Sequence, residues 1–184
     1  MLLQILSLTL PALISGLIMI LTIKANILKF LDIPIDNNLK INGIRVFGDN
    51  KTYRGPFFFI IVSILVSGLL NVLYFNGLNF VHPVFSRPPV MIGFIFGASY
   101  TLGELINSFI KRRNNINPGA VTQSNWKVIQ RFFDLTDGVI IMAFVSVVFN
   151  LLTVFEALTA AILGVALHIG TDSLMMVIGL KKKF

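Results

Sequence analysis

The chain has 184 residues, 55% of them hydrophobic and only 12% charged, about half the charged share of an ordinary soluble domain. Its mean hydropathy of +0.85 calls for a membrane protein, and the chain is too short for two membrane domains, so one domain over 1–184 is expected. There is no cysteine, which excludes disulfides, thiolate metal sites and a cysteine nucleophile. The net charge of +7 flanks apolar runs instead of covering a polynucleotide-binding surface. Anionic headgroups or phosphate-bearing substrates are therefore expected, and nucleic acid is not.

Five segments are long or apolar enough to cross a bilayer, so the expected fold is an all-α integral membrane protein with about five transmembrane helices. The first, Leu2 to Ile23, has no basic n-region and an apolar stretch too long for a signal peptide, so it is read as a retained helix. Pro11 and Gly16 inside it are tolerable where neighbouring helices satisfy freed backbone groups. A polar segment, Lys24 to Gly55, precedes the second span, Pro56 to Phe80. The region of Gly77, His82-Pro83 and Arg87-Pro88-Pro89 reads as a turn. The third span is Val90 to Ile110. In the connection that follows it, Trp126, Phe132 and Phe133 interleave with bases, as in an interfacial or reentrant segment. The fourth span, Gly138 to Val154, is short and turns near Thr153 and Glu156 into the fifth, Phe155 to Leu180. No repeat, low-complexity tract or linker suggests a second module.

Fourteen of the fifteen basic residues fall before the second span, after the third, or in the tail at Lys181, Lys182 and Lys183, leaving Arg87 alone on the other side. The positive-inside rule then predicts an outside N-terminus, a cytoplasmic C-terminus and a multi-pass protein of the cytoplasmic (inner) membrane.

Charged side chains in or beside spans are expensive, and six of them read as one cytoplasmic-face site: Lys51, Arg54, Glu104, Lys111, Asp134 and Asp137. Glu104 lies roughly 9 Å, and Asp172 roughly 12 Å, below the cytoplasmic ends of their spans at helical rise. Either one is a functional acid or a structural hydrogen-bonding group between helices. Asp134 and Asp137, spaced i, i+3, share a helix face at the start of the fourth span. They either cap that helix or hold a hard cation. Mg²⁺ takes one or two carboxylates plus substrate phosphates and waters, and Glu104 completes the set if the third and fourth spans pack together. Gly48-Asp-Asn-Lys-Thr-Tyr-Arg-Gly55 resembles a phosphate grip, with glycines that admit an anion and with Lys51 and Arg54 as a point charge and a fork. It lacks the P-loop spacing. A solvated juxtamembrane turn is the plainer alternative.

Together these strings resemble the CDP-archaeol synthase family, integral-membrane relatives of phosphatidate cytidylyltransferases. The likeness is carried by Ile33-Pro-Ile-Asp36, Gly43-Ile-Arg45, the Gly48 to Gly55 string and Ser108-Phe-Ile-Lys-Arg-Arg113 with Pro118-Gly119. Asp134-x-x-Asp137, His168 and Gly179-Leu-Lys181 complete it, in order and over nearly the whole chain. The resemblance implies transfer of CMP from CTP to a membrane lipid phosphate, of archaeol or diacylglycerol type, with release of pyrophosphate and a requirement for Mg²⁺. By position it makes Lys51, Asp134 and Asp137 catalytic, with Glu104, Asp134 and Asp137 toward the metal. Asp49, Thr52, Arg54, Ser108, Lys111 and Arg112 fall in substrate-binding segments. The chain departs from the family at Glu104, where Asp is usual, at Leu135 between the paired acids, and over Thr122 to Arg131.

Three other functions fit parts of the pattern. A CDP-alcohol phosphotransferase also uses membrane aspartates, but its extended Asp-rich motif is absent. A small ion-coupled transporter predicts symmetric halves and a midplane site, whereas the polar groups here cluster at one face. A non-catalytic lipid-binding homologue is the third. A homo-oligomer stays open, since no GxxxG pair stands out as decisive.

Overall fold

Long apolar runs satisfy their backbone groups most simply as helices, and the described residues form five α-helices: α1 Leu2–Lys24, α2 Arg54–Phe75, α3 Pro89–Arg113, α4 Lys127–Val148 and α5 Val154–Val177. The computed structural model describes residues 1–118, 120 and 127–177. Gly119, Thr122 to Trp126, Gly179 to Lys183 and the side chain of Asp172 lie outside the described residues. Each helix packs on the next and α5 returns to α1, closing a ring.

Helices α1, α2 and α3, with α5 over Val154–Thr171, are long and apolar enough to cross a membrane. The fourth helix differs from the expected span. It begins at Lys127, not Gly138, and its first turns carry Lys127, Arg131, Asp134 and Asp137. Its apolar part, Gly138 to Val148, rises only about 16 Å, half the hydrocarbon thickness of a bilayer. The two acids consequently sit well inside the helix and do not cap it. The expected second span is also shorter than anticipated, ending at Phe75, where Asn76 and Gly77 (φ +80°) turn the chain. A tight turn with Asn150 at positive φ joins α4 to α5.

Leu65, Val72, Phe144, Leu158 and Ile162 are exposed on the outer faces, an apolar surface that suits lipid. The interior is held by close approach of backbones and by polar links between helices. A Cβ on Gly93 would fall 2.3 Å from the Ile64 Cα, and one on Gly97 2.8 Å from the Ile60 Cα. This Gly-x-x-x-Gly pair thus serves the α2–α3 contact within the chain. Ser15 on α1 and Ser63 on α2, both fully buried, share a 3.0 Å hydrogen bond.

One end of the ring is sealed by Leu8, Leu70, Phe85, Ile92, Phe96 and Leu152. Thr153 and Glu156 form a capping box there, with the Thr153 N–H donating to Glu156 Oε2 (2.8 Å) and the Glu156 N–H to Thr153 Oγ1 (3.2 Å). His82 Nε2 meets Glu156 Oε1 at 3.1 Å, and Arg87 donates to the Asn150 carbonyl at 3.0 Å, tying the two loops of this end together.

The opposite end carries the segment between α1 and α2. Within it β1 Lys40–Ile41 pairs antiparallel with β2 Ile44–Arg45. Asn42 (φ 52°) and Gly43 (φ 78°) form the turn, the two positive dihedrals that a tight hairpin requires.

Candidate active site

The site rests on a loop folded around one buried acid. Asp36, 7% exposed, accepts hydrogen bonds from Arg45 Nη2 and Nε and from the backbone N–H groups of Phe47 (3.0 Å) and Gly48 (3.1 Å). Burial alone would raise its pKa. The Arg45 guanidinium and the Phe47, Gly48 and Asn38 N–H groups outweigh that and hold it well below the usual carboxylate range. Arg45 also donates to Asp49 at 2.6 Å, with the Asp49 side chain largely in solvent. Alongside, the Ile35 N–H donates to the Lys51 carbonyl (2.9 Å) and Thr52 bridges Pro34, so the string from Gly48 is fixed at both edges. Arg113, at the end of α3, docks the hairpin by donating to the carbonyls of Ile41 (3.0 Å), Ile44 (3.0 Å) and Arg45 (2.7 Å).

Helices α3 and α4 cross at two glycines. A Cβ on Gly103 would lie 2.3 Å from the Asp137 carbonyl oxygen, and one on Gly138 2.7 Å from the Tyr100 ring. Tyr100 in turn stacks on Phe59 of α2, with ring centroids 4.3 Å apart. The crossing sets Glu104, Asn107 and Lys111, one stripe of α3 at i, i+3 and i+7, against Asp134 and Asp137 of α4. Asn107 Nδ2 donates to Asp134 Oδ1 at 2.7 Å and to Asp137 Oδ2 at 2.7 Å. The two carboxylate oxygens are therefore no farther apart than twice that length. Lys111 Nζ pairs with the same Asp134 oxygen, and Lys51 Nζ reaches from the loop to Glu104 Oε2 at 2.7 Å.

Two hollows meet here. A polar cleft of about 200 Å³ is lined by Lys51, Asn107, Ser108, Lys111, Arg112 and Asp137, together with Glu104 and Asp134. An apolar cavity of about 340 Å³ runs between α1, α3, α4 and α5, walled by Leu13, Leu17, Met142 and Leu167. Glu104 and Asp134 line both, and His168 and Thr171 line the cavity. Arg112 is 5% exposed, yet its Nε and Nη1 have no hydrogen-bond partner. A buried guanidinium in that state keeps donors that an anion could satisfy. Gly48 lies against it, since a Cβ there would come 3.1 Å from Arg112 Nη1.

Most of the residues expected from the sequence thus converge on the cleft: Lys51, Glu104, Ser108, Lys111, Arg112, Asp134 and Asp137. Three stand apart from its lining. Arg54 is 3% exposed and donates to the Thr22 carbonyl in the last turn of α1. Asp49 faces solvent beside Arg45, and Thr52 belongs to the bridge with Pro34. Asn107, Arg113 and the two glycines of the crossing were not anticipated. The signals were present in the glycines directly beside acids, at Gly103-Glu104 and Asp137-Gly138.

A metal ion can be tested against these donors. Asp134 and Asp137 bring carboxylate oxygens to a common point, which fits a hard divalent cation that fills its remaining positions with phosphate oxygens and water. Glu104 is engaged by Lys51, and among the described residues no three His, Cys, Asp or Glu side chains gather into one metal cluster. The fit therefore rests on the aspartate pair.

The CarS-like CDP-archaeol synthase family model matches residues 1–184, the whole chain. The chain belongs to the CDP-archaeol synthase family. The CDP-archaeol synthase of Halobacterium salinarum is 32% identical over 156 residues, covering 80% of this chain and 81% of the relative. That of Sulfolobus acidocaldarius is 28% identical over 141 residues, covering 76% and 75%. That of Pyrobaculum aerophilum is 30% identical over 143 residues, covering 78% and 76%. No solved structure gives a significant match. Membership in the CDP-archaeol synthase family makes the chain an enzyme, a CTP-dependent cytidylyltransferase of lipid biosynthesis, and its apolar helices make it a multi-pass membrane protein.

Proposed function

We propose that the chain transfers CMP from CTP to an archaetidic-type lipid phosphate at the cytoplasmic face of the cytoplasmic membrane, releasing pyrophosphate and requiring Mg²⁺. The observation that carries this reading is the shared wall of Glu104 and Asp134, where a polar cleft lined by three bases and three acids adjoins an apolar cavity. A nucleotide triphosphate fits the first and a lipid tail the second, so the two reactive phosphates would meet at the aspartates. The names of the relatives, CDP-archaeol synthase, favour isoprenoid ether tails over acyl ester tails.

In the reaction an oxygen of the lipid phosphate attacks the α-phosphorus of CTP. A new P–O bond forms as the α–β bridging bond breaks, and pyrophosphate leaves with the electron pair. Such transfers depend on positioning and charge neutralisation. Lys51, Lys111 and the unpartnered nitrogens of Arg112 would hold the triphosphate and the lipid phosphate. Ser108 would orient an oxygen by hydrogen bonding. No general base is needed, because the attacking phosphate is already ionised near neutral pH. Asp134 and Asp137 would hold Mg²⁺, which when bound neutralises phosphate charge.

The test is purified protein with labelled CTP, Mg²⁺ and a panel of ether and ester lipid phosphates. Formation of a CDP-lipid and pyrophosphate, lost in the Asp134→Asn/Asp137→Asn double variant, is the expected result. Full activity of that variant would overturn the assignment of the aspartates.

A further inference from the structure

The amide of Asn107 occupies the point at which the two aspartates converge. Its Nδ2 lies 2.7 Å from Asp134 Oδ1 and 2.7 Å from Asp137 Oδ2. Two carboxylates held this close repel, and an NH₂ group, with one hydrogen for each, relieves the repulsion. A cation at the same point removes the need for those hydrogens and is repelled by them. A carboxamide has a second arm of nearly the same shape, and turning the side-chain amide over exchanges donor for acceptor. Amide oxygens are ordinary ligands of hard cations.

We propose that Asn107 is a two-state positioning residue. Its amide nitrogen holds Asp134 and Asp137 together before metal binds, and its Oδ1 then turns in as a third protein oxygen on the divalent cation. This rests on the reading of the aspartate pair as the metal site. Arg112, on the same helix and lining the same cleft, supplies an independent sign that the site is shaped for charged ligands: it is buried with two guanidinium nitrogens unpartnered. A phosphate held there would lie in the same cleft as the aspartates.

The experiment uses Mn²⁺ as the probe. Its binding to the purified full-length chain in lipid nanodiscs is followed by electron paramagnetic resonance with saturating CTP, for the parent, Asn107→Leu, Asn107→Asp and Asp134→Asn/Asp137→Asn. Thermal melting without metal confirms that each variant is folded. Asn107→Leu removes both donor and acceptor at similar volume, and its Mn²⁺ affinity is expected to fall at least about tenfold, the scale seen when groups supporting metal ligands are removed. Asn107→Asp keeps an oxygen and loses the donor, so it binds Mn²⁺ at least as tightly as the parent although it melts lower without metal.

The proposal is overturned if Asn107→Leu binds like the parent, or if both Asn107 variants weaken alike, which would leave the amide a donor only. Those results, with the double aspartate variant losing Mn²⁺, sink the Asn107 role and spare the metal site. Parent-like binding by the double variant, or no binding by the parent, sinks the metal reading itself. Should Asn107→Leu fail to fold, Asn107→Asp decides alone: weaker Mn²⁺ binding than the parent overturns the proposal.

Discussion

Gly103 and Asp137 touch backbone to side-chain position: a Cβ on Gly103 would stand 2.3 Å from the Asp137 carbonyl oxygen. With the approach of Gly138 to Tyr100, this contact sets the distance between α3 and α4, and therefore whether Asn107 and Lys111 reach the aspartates. Gly103→Ala must push the helices apart. The expected loss is about 1–3 kcal/mol of stability, read as a lower melting temperature, with CDP-lipid formation falling more steeply than the melting shift alone explains.

Arg112 is buried with its Nε and Nη1 unpartnered, and the proposed ligand is a phosphate of CTP. Lysine at this position keeps the charge and loses the planar fork. Arg112→Lys is expected to raise the KM for CTP about tenfold, the weight of one charge-assisted hydrogen bond, while the KM for the lipid phosphate moves less. Steady-state kinetics with each substrate varied in turn checks this.

Asp36 predicts a pH behaviour. Its folded pKa lies below its unfolded value of about 3.9, so its contribution to stability is complete above that value and is lost only as pH falls through the folded one. Hydrogen-exchange protection of the loop around Phe47 and Gly48 should therefore persist through the ordinary carboxylate range. Asp36→Asn removes the carboxylate that gathers the Arg45 guanidinium and the Phe47 and Gly48 N–H groups, leaving Arg45 only the solvent-facing Asp49, and should abolish that protection at neutral pH.

Removal of divalent cations with a chelator is expected to stop CDP-lipid formation, and Mg²⁺ should restore it. Activity that survives chelation would remove the metal from the mechanism.

The orientation can be checked directly, because the chain has no cysteine. In sealed inverted vesicles, where the cytoplasmic face is outward, Lys40→Cys on the hairpin should react with an impermeant maleimide and Ser86→Cys should not. The reverse pattern would turn the protein over and remove the site from the side where CTP is found.

How far the residues announced this arrangement depends on which physical signal each one carries. The helices were legible because apolar length suffices to form them, and the Asp134–Asp137 pair because i, i+3 spacing puts both acids on one face. The start of α4 was not, because its first turns are amphipathic and charged, and aromatics interleaved with bases read equally as an interfacial segment separate from the span. The hairpin turns on Asn42-Gly43, but its two-residue strands are too short and polar to show a period-2 pattern. Asp36 and Arg45, which enter only as parts of family-like strings, prove to be partners across nine residues, a pairing that no local pattern reveals. Arg54 sits in a grip-like string yet points into the bundle, because the end of α1 offers it a carbonyl at Thr22. Asn107 was invisible because its significance comes from α4, and a lone amide on a helix has no signature.

The docking of the hairpin on Arg113 has a consequence for how the protein is made. Three carbonyls of the first loop are held by a residue 68 or more positions downstream. A nascent chain with α1 and α2 inserted still lacks that anchor, and it lacks Glu104, the partner of Lys51. The loop can be docked on the bundle only after α3 has emerged from the ribosome, and the aspartates arrive later still with α4. Nucleotide binding should accordingly appear abruptly late in synthesis, and truncated chains ending before Lys127 should insert and show none of it.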